Sequence, residues 1–338
     1  MTMSRDESLD AIKGIGCIMM VFSHYTQDCQ IVGFLGGFAP ALFFAVSGVM
    51  LTFQLQKKRM LEILFYYLML FILGFSYNSI IEFTYYDVID PISIFSKSEI
   101  LHVISLSCIV LALGLSRVSW LFPVPFAIHY FLDLPAIGFL TGLVFPIVPW
   151  LSLFMFGIFL WKLKVHQKVF MGGIALISLL SVFLLTGANL NKMDMSLDYF
   201  ILCLLVVTAS SIAIGHWKAL SSNGLIQFFG QNSLLFLYVH FLIGSIIVST
   251  FGIPHNILIW LLTFAATYAL MKALIRIPQA NKSWLFWALL LAATLAVPFF
   301  AMSSIPAYLV GIIFALNYRN ISRLNLESLR RKLPYLST

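Results

Sequence analysis

Long apolar stretches separated by short polar loops cover most of the chain. A helix that spans a membrane needs about 20 predominantly apolar residues. The stretches that approach or exceed this length lie at 9–27, 32–55, 60–78, 100–116, 118–132, 137–161, 169–187, 198–215, 225–250, 256–275, 283–300 and 303–318. Those at 118–132 and 303–318 are short or contain prolines, so the pattern predicts about 10 to 12 crossings.

The charges in the intervening loops alternate in sign. The basic residues form short runs: Lys57/Lys58/Arg59, Lys162/Lys164/Lys168, Arg276/Lys282 and Arg319/Arg323/Arg330/Arg331/Lys332. Acidic residues collect in the loops at 79–99 and 188–198. Since basic loops are retained in the cytoplasm, this pattern predicts cytoplasmic N- and C-termini and acidic loops on the outer side.

Composition agrees with an integral membrane protein. Hydrophobic residues make up 61% of the 338-residue chain and charged residues only 10%, and the mean hydropathy is +0.99. Soluble domains carry about 25% charged residues. The net charge of +7 comes from the basic loops, so we expect a single integral-membrane domain over 1–338 and no nucleic-acid partner. The four cysteines contain no CxxC pair, and neither disulfides nor a metal site are expected.

The first predicted helix, "SLDAIKGIGCIMMVFSHYTQD", carries a polar stripe. At 100° per residue, Asp10, Lys13, Cys17, His24 and Asp28 fall within a sector about 60° wide. Such a stripe is costly in a membrane unless it faces protein or water, and it therefore marks a candidate functional site. Lys13 and His24 are separated by about 16 Å along the axis, which puts Lys13 near the cytoplasmic surface and His24 in the outer half of the bilayer.

His24 and Asp28, one turn apart, form a reasonable general base, in which the carboxylate orients the imidazole and stabilises its protonated form. The alternative is purely structural. Asp10 and Lys13 can be an ion pair at the cytoplasmic surface, with His24 and Asp28 as their counterpart outside. The sequence alone leaves both interpretations open.

Two further segments carry candidate residues. Ser47 and Gly48 lie in the middle of "FAPALFFAVSGVMLTF", where small residues let a helix or a ligand approach the backbone. Glu99, His102 and Ser105 share one face at the start of "EILHVISLS". Helix packing and an interfacial location are the structural alternatives.

The segment at 225–250, "LIQFFGQNSLLFLYVHFLIGS", contains Asn232, Ser233 and His240. Ser233 and His240 are seven residues apart and therefore share a helix face, although a buried histidine can also serve only as a hydrogen bond between helices. His129 and Asp133 repeat the His–Asp spacing at the edge of a short helix. We give them less weight.

Several segments together resemble the transmembrane acyltransferase superfamily. "LDAIKG" with its following histidine is similar to the family's LDxxRG start, and "LFFAVSGVMLTF" is similar to its second helix. "ILHVISLS", "FPIVPWLSLFMFGIFL" and "FFGQNSLLFLYVHFL" resemble bacterial relatives of heparan-alpha-glucosaminide N-acetyltransferase. The resemblance runs from Leu9 to about Leu242. It leaves helices at 256–318 and a basic tail at 319–338 outside the family-like core.

The resemblance implies an enzyme of a bacterial inner membrane that moves an acetyl group from acetyl-CoA to a sugar amine or hydroxyl on the far side. It makes His24 catalytic, with Asp28 as its orienting partner. The residues expected near the donor are Asp10, Lys13, Ser47 and Gly48. Those expected to bind or support the substrates are His102, Trp150, Asn232, Ser233 and His240. Lys13 replaces the family's arginine, keeping the charge but losing the bidentate geometry.

Two other functions fit a chain of this kind. A transporter would also have many helices with glycine, proline and intramembrane ionisable residues, although no repeat between the two halves is detectable. A scaffold without catalysis would not depend on His24. The acceptor, the length of the acyl group, an acetyl-histidine intermediate and a homodimer all stay open.

Overall fold

The protein is described by a computed structural model that covers residues 7–25, 34–86, 90–132, 145–192, 195–251, 257–277, 284–300, 303–318 and 321. Within these ranges the regular structure is helical, and no β-strand occurs. The helices are α1 (Glu7–Tyr25), α2 (Ala39–Lys57), α3 (Met60–Tyr86), α4 (Pro91–Ser96), α5 (Ile100–Ala112), α6 (Pro123–Phe131), α7 (Ile147–Trp161), α8 (Val165–Thr186), α9 (Leu197–His216), α10 (Lys218–Ser221), α11 (Gly224–Gln231), α12 (Ser233–Phe251), α13 (Ile257–Leu274), α14 (Trp284–Phe300) and α15 (Ile305–Asn317).

In the described part of the chain, seven helical segments are long and apolar enough to cross a membrane. They are Phe34–Lys57, Met60–Thr84, Pro91–Ala112, Val165–Thr186, Leu197–His216, Ser233–Phe251 and Ile257–Leu274. Shorter apolar helices are Ile147–Trp161, Leu285–Phe300 and Ile305–Asn317. The prediction of an all-α polytopic membrane protein is confirmed. The expected count of about 10 to 12 crossings is reached only when these shorter helices are counted together with α1.

The segment predicted at 118–132 is not one spanning helix. The chain turns at Gly114, whose φ of 147° suits a residue without a side chain. It continues as a 3₁₀ helix over Leu115–Leu121 and then as α6. The nine residues of α6 extend only about 14 Å, roughly half the thickness of the hydrocarbon core.

The segment predicted at 225–250 is divided into α11 and α12. Asn232, with φ −119° and ψ 30°, ends α11, and its side-chain amide donates to the carbonyl of Phe228 at 2.8 Å. Asparagine competes for local backbone hydrogen bonds in this way and so interrupts helices. The break lets Ser233 begin a new helix close to Lys13.

Helix α1 lies inside the bundle and packs most extensively against α11 and α2, with further contacts to α9, α12 and α13. Its contact with α11 depends on two glycines. A methyl group at Gly14 would overlap the carbonyl of Ile226, and one at Gly230 would overlap the carbonyl of Asp10. The two backbones therefore touch, and this contact fixes the depth and rotation of α1.

The C-terminal helices belong to the same bundle as the earlier ones. Helices α14 and α15 both pack against α3, and α15 also packs against α12. Trp287 of α14 and Phe314 of α15 meet edge to face with ring centroids 5.4 Å apart. The residues beyond the family-like core therefore contribute to the packing around the site described below.

Candidate active site

A series of cavities follows one face of α1. The Lys13 cavity, of about 180 Å³, is lined by Lys13, Met20, Phe43, Val46, Ser47, Met50, Gln54, Tyr66, Tyr67, Leu70, Ile100, Leu101, Ile104, Ser233, Leu234, Leu237 and Tyr318. The His24 cavity, of about 340 Å³, is lined by Met20, Ser23, His24, Gly36, Ala39, Pro40, Tyr77, Ile81, Glu82, Lys97, Glu99, Ile100, Phe145, Lys192 and Phe241. Both cavities share Met20 and Ile100 as lining residues. They therefore meet at these two side chains.

A third cavity opens next to Lys13 on the side away from His24. This Lys13 mouth, of about 470 Å³, is lined by Lys13, Met50, Tyr66, Gln231, Asn232, Ser233, Leu234, Leu235, Ile275, Ile277, Ala315, Leu316 and Tyr318. It shares six lining residues with the Lys13 cavity: Lys13, Met50, Tyr66, Ser233, Leu234 and Tyr318. The three cavities thus follow α1 from Lys13 to His24.

Lys13 is half-buried where the Lys13 cavity and the Lys13 mouth meet. Its ammonium lies 2.9 Å from the carboxylate of Asp10, which is itself only 3% exposed. Asp10 lines none of these three cavities, and its contact with them is through the Lys13 ammonium that it holds. The ion pair is the arrangement that the structural alternative predicted. Its position at a cavity is what that alternative does not explain.

The other residues expected near the donor separate into two groups. Ser47 lines the Lys13 cavity, as expected of a donor-binding residue. Gly48 does not, because a methyl group there would overlap the backbone of Phe154 in α7. Gly157 of α7 meets the backbone of Ala45 in the same way. Close packing of α2 on α7 therefore accounts for the glycine at position 48.

His24 is half-buried near the last turn of α1 and lines the His24 cavity with Ser23. Its ring centroid lies 4.6 Å from that of Phe241 and 5.8 Å from that of His240. Asp28, its expected partner, lies outside the described residues, as does Asp133. Cys17 of the polar stripe turns away from the cavities, and its thiol lies 3.8 Å from the carbonyl of Phe229 in α11.

His240 is fully buried next to His24. Its Nδ1 lies 2.8 Å from the carbonyl oxygen of Phe236, so a neutral ring carries its proton there and leaves Nε2 as an acceptor. That Nε2 has no hydrogen-bond partner among the described residues. The ring is also stacked on Phe236 and packed against Phe241, with centroids 5.0 and 4.7 Å away.

Asn232 and Ser233 lie at the Lys13 end of the series and not near His24. Both line the Lys13 mouth, and Ser233 also lines the Lys13 cavity. The sequence placed them in one helix with His240. In the structure Ser233 begins α12 and still shares that helix with His240, whereas Asn232 ends α11.

His102 and Trp150 are buried outside the cavities. The Nδ1 of His102 accepts a hydrogen bond of 3.3 Å from the backbone of Glu99. It thereby closes the start of α5, which positions Glu99 at the His24 cavity. Trp150 is fully buried, and its ring packs against Phe44 and Phe145 with both centroids 5.1 Å away. Its place is in the core between α2 and α7.

The His24 cavity also contains four charged residues, of which only Glu99 was a candidate from the sequence. They are Glu82, Lys97, Glu99 and Lys192. Glu82 was assigned to a loop because the predicted helix ended at 78, whereas α3 continues to Tyr86. The continued aromatic run "FTYY" is the signal that could have extended that helix. Nothing local in the sequence marks Lys192, which reaches the cavity only through the fold.

The ammonium of Lys192 lies 5.3 Å from the centroid of the Phe145 ring, which is the distance of a cation–π contact. Burial lowers the pKa of Lys192 from its ordinary value, and the carboxylate of Glu99 opposes that effect. The carboxylate of Glu99 thus favours the charged form of Lys192.

Comparisons of this chain with protein-family models, with curated proteins and with solved structures gave no match. The resemblance to the transmembrane acyltransferases consequently stays a prediction from the sequence, and the function has to be argued from the site.

Proposed function

We propose that the protein is a membrane-embedded acyltransferase that moves an acetyl group from cytoplasmic acetyl-CoA to a sugar hydroxyl or amine on the opposite side. The observation that carries this proposal is the series of cavities between Lys13 and His24. It connects a cation at one end with a candidate base at the other, about 16 Å apart. A transferase with donor and acceptor on opposite sides needs such an arrangement.

The donor fits the Lys13 end. A phosphate-bearing head group needs a cation, which Lys13 supplies, and Lys58 lies nearby over the ring of Tyr66 at 5.1 Å. The pantetheine arm needs a narrow and largely apolar space, which Phe43, Val46 and Leu70 provide in the Lys13 cavity. The thioester would then pass Met20 to reach His24.

In the proposed reaction His24 acts as the general base. It accepts the proton of the acceptor hydroxyl or amine while the acceptor atom attacks the thioester carbonyl. The new acyl bond forms, the C–S bond breaks, and the proton passes to the departing CoA sulfur. In the alternative route the acetyl group first resides on His24 and is then transferred to the acceptor.

The purified protein is expected to release CoA from radiolabelled acetyl-CoA only when a sugar acceptor is present, with the label appearing on that acceptor. In proteoliposomes, donor and acceptor should react when they are supplied on opposite sides. Absence of transfer to every acceptor, together with uptake of a solute, would instead establish the transporter alternative.

Replacing Lys13 with methionine is expected to raise the KM for acetyl-CoA about tenfold, with a smaller effect on kcat. A hydrogen bond to a charged group contributes about 1.5–3 kcal/mol, which corresponds to at least tenfold in affinity. Lys13→Arg should retain or improve donor binding because arginine restores the bidentate contact.

Acetyl-pantetheine, which lacks the nucleotide phosphates, provides the control for this prediction. Its KM should be the same in the wild type and in Lys13→Met. An equal rise in KM for both donors would show that Lys13 acts through the shape of the site and not through phosphate binding.

A further inference from the structure

The His24 cavity contains two carboxylates and two ammonium groups. Glu82 and Glu99 are only 5% and 8% exposed, and Lys97 and Lys192 line the same space. A cavity of about 340 Å³ lies in the size range of small-molecule sites. Charged side chains in such a position either neutralise each other or bind a ligand.

Two of these charges neutralise each other directly. Glu82 forms an ion pair with Lys97 and also accepts a hydrogen bond of 2.9 Å from the hydroxyl of Ser93. Asn78 fixes the same region, because its amide donates to the carbonyls of Ile94 and Lys97 at 2.8 and 2.9 Å. The short helix α4 is thereby held against α3.

The other two charges, Glu99 and Lys192, attract each other without forming an ion pair. Within the described ranges, neither Glu99 nor Lys192 has an ion-pair partner within 4 Å. Glu99 is placed by the start of α5. Lys192 is placed by a loop whose backbone amides at Asn189 and Leu190 donate to the carboxylate of Asp198 at 2.6 and 2.7 Å.

A buried carboxylate and a partly buried ammonium are costly without an ion-pair partner unless hydrogen bonds compensate them. Glu99 already accepts one such bond from the backbone at the start of α5. Sugar hydroxyls can supply this compensation because each one both donates and accepts. A hydroxyl can donate to Glu99 and accept from Lys192 at the same time. Two separated and opposite charges beside the candidate base therefore favour a polyhydroxylated ligand over an apolar one.

The sum of the charges indicates what the ligand itself carries. In their ionised forms Glu82 and Glu99 balance Lys97 and Lys192, so the formal charges of the four side chains sum to zero. An amino sugar would add a positive charge and a uronic acid a negative charge to this poorly solvated space, and each is unfavourable. An uncharged sugar leaves the balance intact.

We propose that the His24 cavity binds an uncharged sugar unit of the acceptor through Glu99 and Lys192, and that one of its hydroxyls is the group acetylated. This inference rests on the proposed function, since it assigns the acceptor of that reaction. The oxygen of the hydroxyl forms the new ester bond, and its proton is taken by His24.

The experiment compares three probes that differ mainly in charge: methyl glucoside, glucosamine and glucuronate. Binding is measured from the rise in melting temperature of the detergent-solubilised protein, and transfer from labelled acetyl-CoA is measured in parallel. The wild type should prefer methyl glucoside in both assays. Glu99→Gln should shift the preference toward glucuronate and Lys192→Gln toward glucosamine, each by about tenfold.

Three variants keep this test interpretable. The double variant of Glu99→Gln with Lys192→Gln restores neutrality and should again prefer methyl glucoside. Glu99→Asp keeps the charge and a side chain suited to the start of a helix, so its preference should not change. Lys168→Gln removes a cation whose partner is the hydroxyl of Ser211 on α9, outside the cavity, and serves as the matched control.

The inference is overturned if the wild type binds glucosamine or glucuronate more tightly than methyl glucoside. It is equally overturned if the two single neutralisations shift the preference in the same direction or not at all. If the three sugars bind as expected but no acetyl group is transferred, the sugar site stands and the proposed transferase activity is rejected. If acetyl transfer occurs without this binding pattern, the transferase activity stands and an uncharged sugar as acceptor is rejected.

Discussion

Replacing His24 with alanine is expected to lower kcat for acetyl transfer by about 10²- to 10⁴-fold, the usual contribution of a general base. The KM for acetyl-CoA should change little, because the donor's charged end is expected at Lys13. The measurement is steady-state transfer of labelled acetyl to a sugar acceptor. His166→Ala provides a matched control, since His166 is exposed on α8, away from the cavities.

The same variant separates the two routes of transfer. Rapid quenching of the wild type with labelled acetyl-CoA and no acceptor would trap an acetyl-histidine if one forms. The label should then be absent from His24→Ala. If His24→Ala retains the full rate of transfer with every acceptor, the general-base role is excluded and the polar end of α1 is purely structural.

His240→Ala is expected to lower kcat for acetyl transfer less than His24→Ala does, because His240 contacts His24 and does not itself act as the base. Its buried ring lies 5.8 Å from that of His24 between centroids, with Nδ1 engaged by the Phe236 carbonyl. Loss of this neighbour would change the environment of the base without removing it. We therefore expect kcat to fall much less than in His24→Ala. The pH dependence of kcat should also shift.

The membrane fold could be predicted because length and hydropathy are local properties of the chain. Prediction from length and hydropathy failed where local backbone geometry, and not composition, determines the structure. The apolar run at 118–132 is divided where the 3₁₀ helix ends at Leu121 and Pro123 begins α6, and the pieces are too short to cross. At Asn232 a single side chain interrupts the helix in the segment 225–250, which hydropathy predicts to be continuous.

The site could be predicted only as far as one helix determines it. Lys13 and His24 share a face of α1, and the structure places both at cavities. Cys17 lies in the same sector, yet its thiol contacts the carbonyl of Phe229 in α11. Glu82, Lys97 and Lys192 come from three separate parts of the chain. They come together only through tertiary packing, which residue spacing along the chain does not predict.

Gly230→Ala is expected to lower the stability of the protein strongly, because the added methyl group would overlap the backbone carbonyl of Asp10. A backbone group cannot move away as a flexible side chain can, so α11 must separate from α1. Overpacking of this kind costs about 1–3 kcal/mol or more. The measurement is the melting temperature in detergent, with size-exclusion chromatography to follow aggregation.

Gly173→Ala is the matched control, since a methyl group at Gly173 on α8 would meet nothing within 4 Å. There the substitution should be neutral or slightly stabilising, because alanine favours the helix more than glycine does. Gly230→Ala should also raise the KM for acetyl-CoA in whatever folded protein remains. The same displacement moves Asp10, and Asp10 holds Lys13 at the cavity. Equal melting temperatures for the two variants would contradict the close contact between α1 and α11, and with it the placement of Lys13 on which donor binding depends.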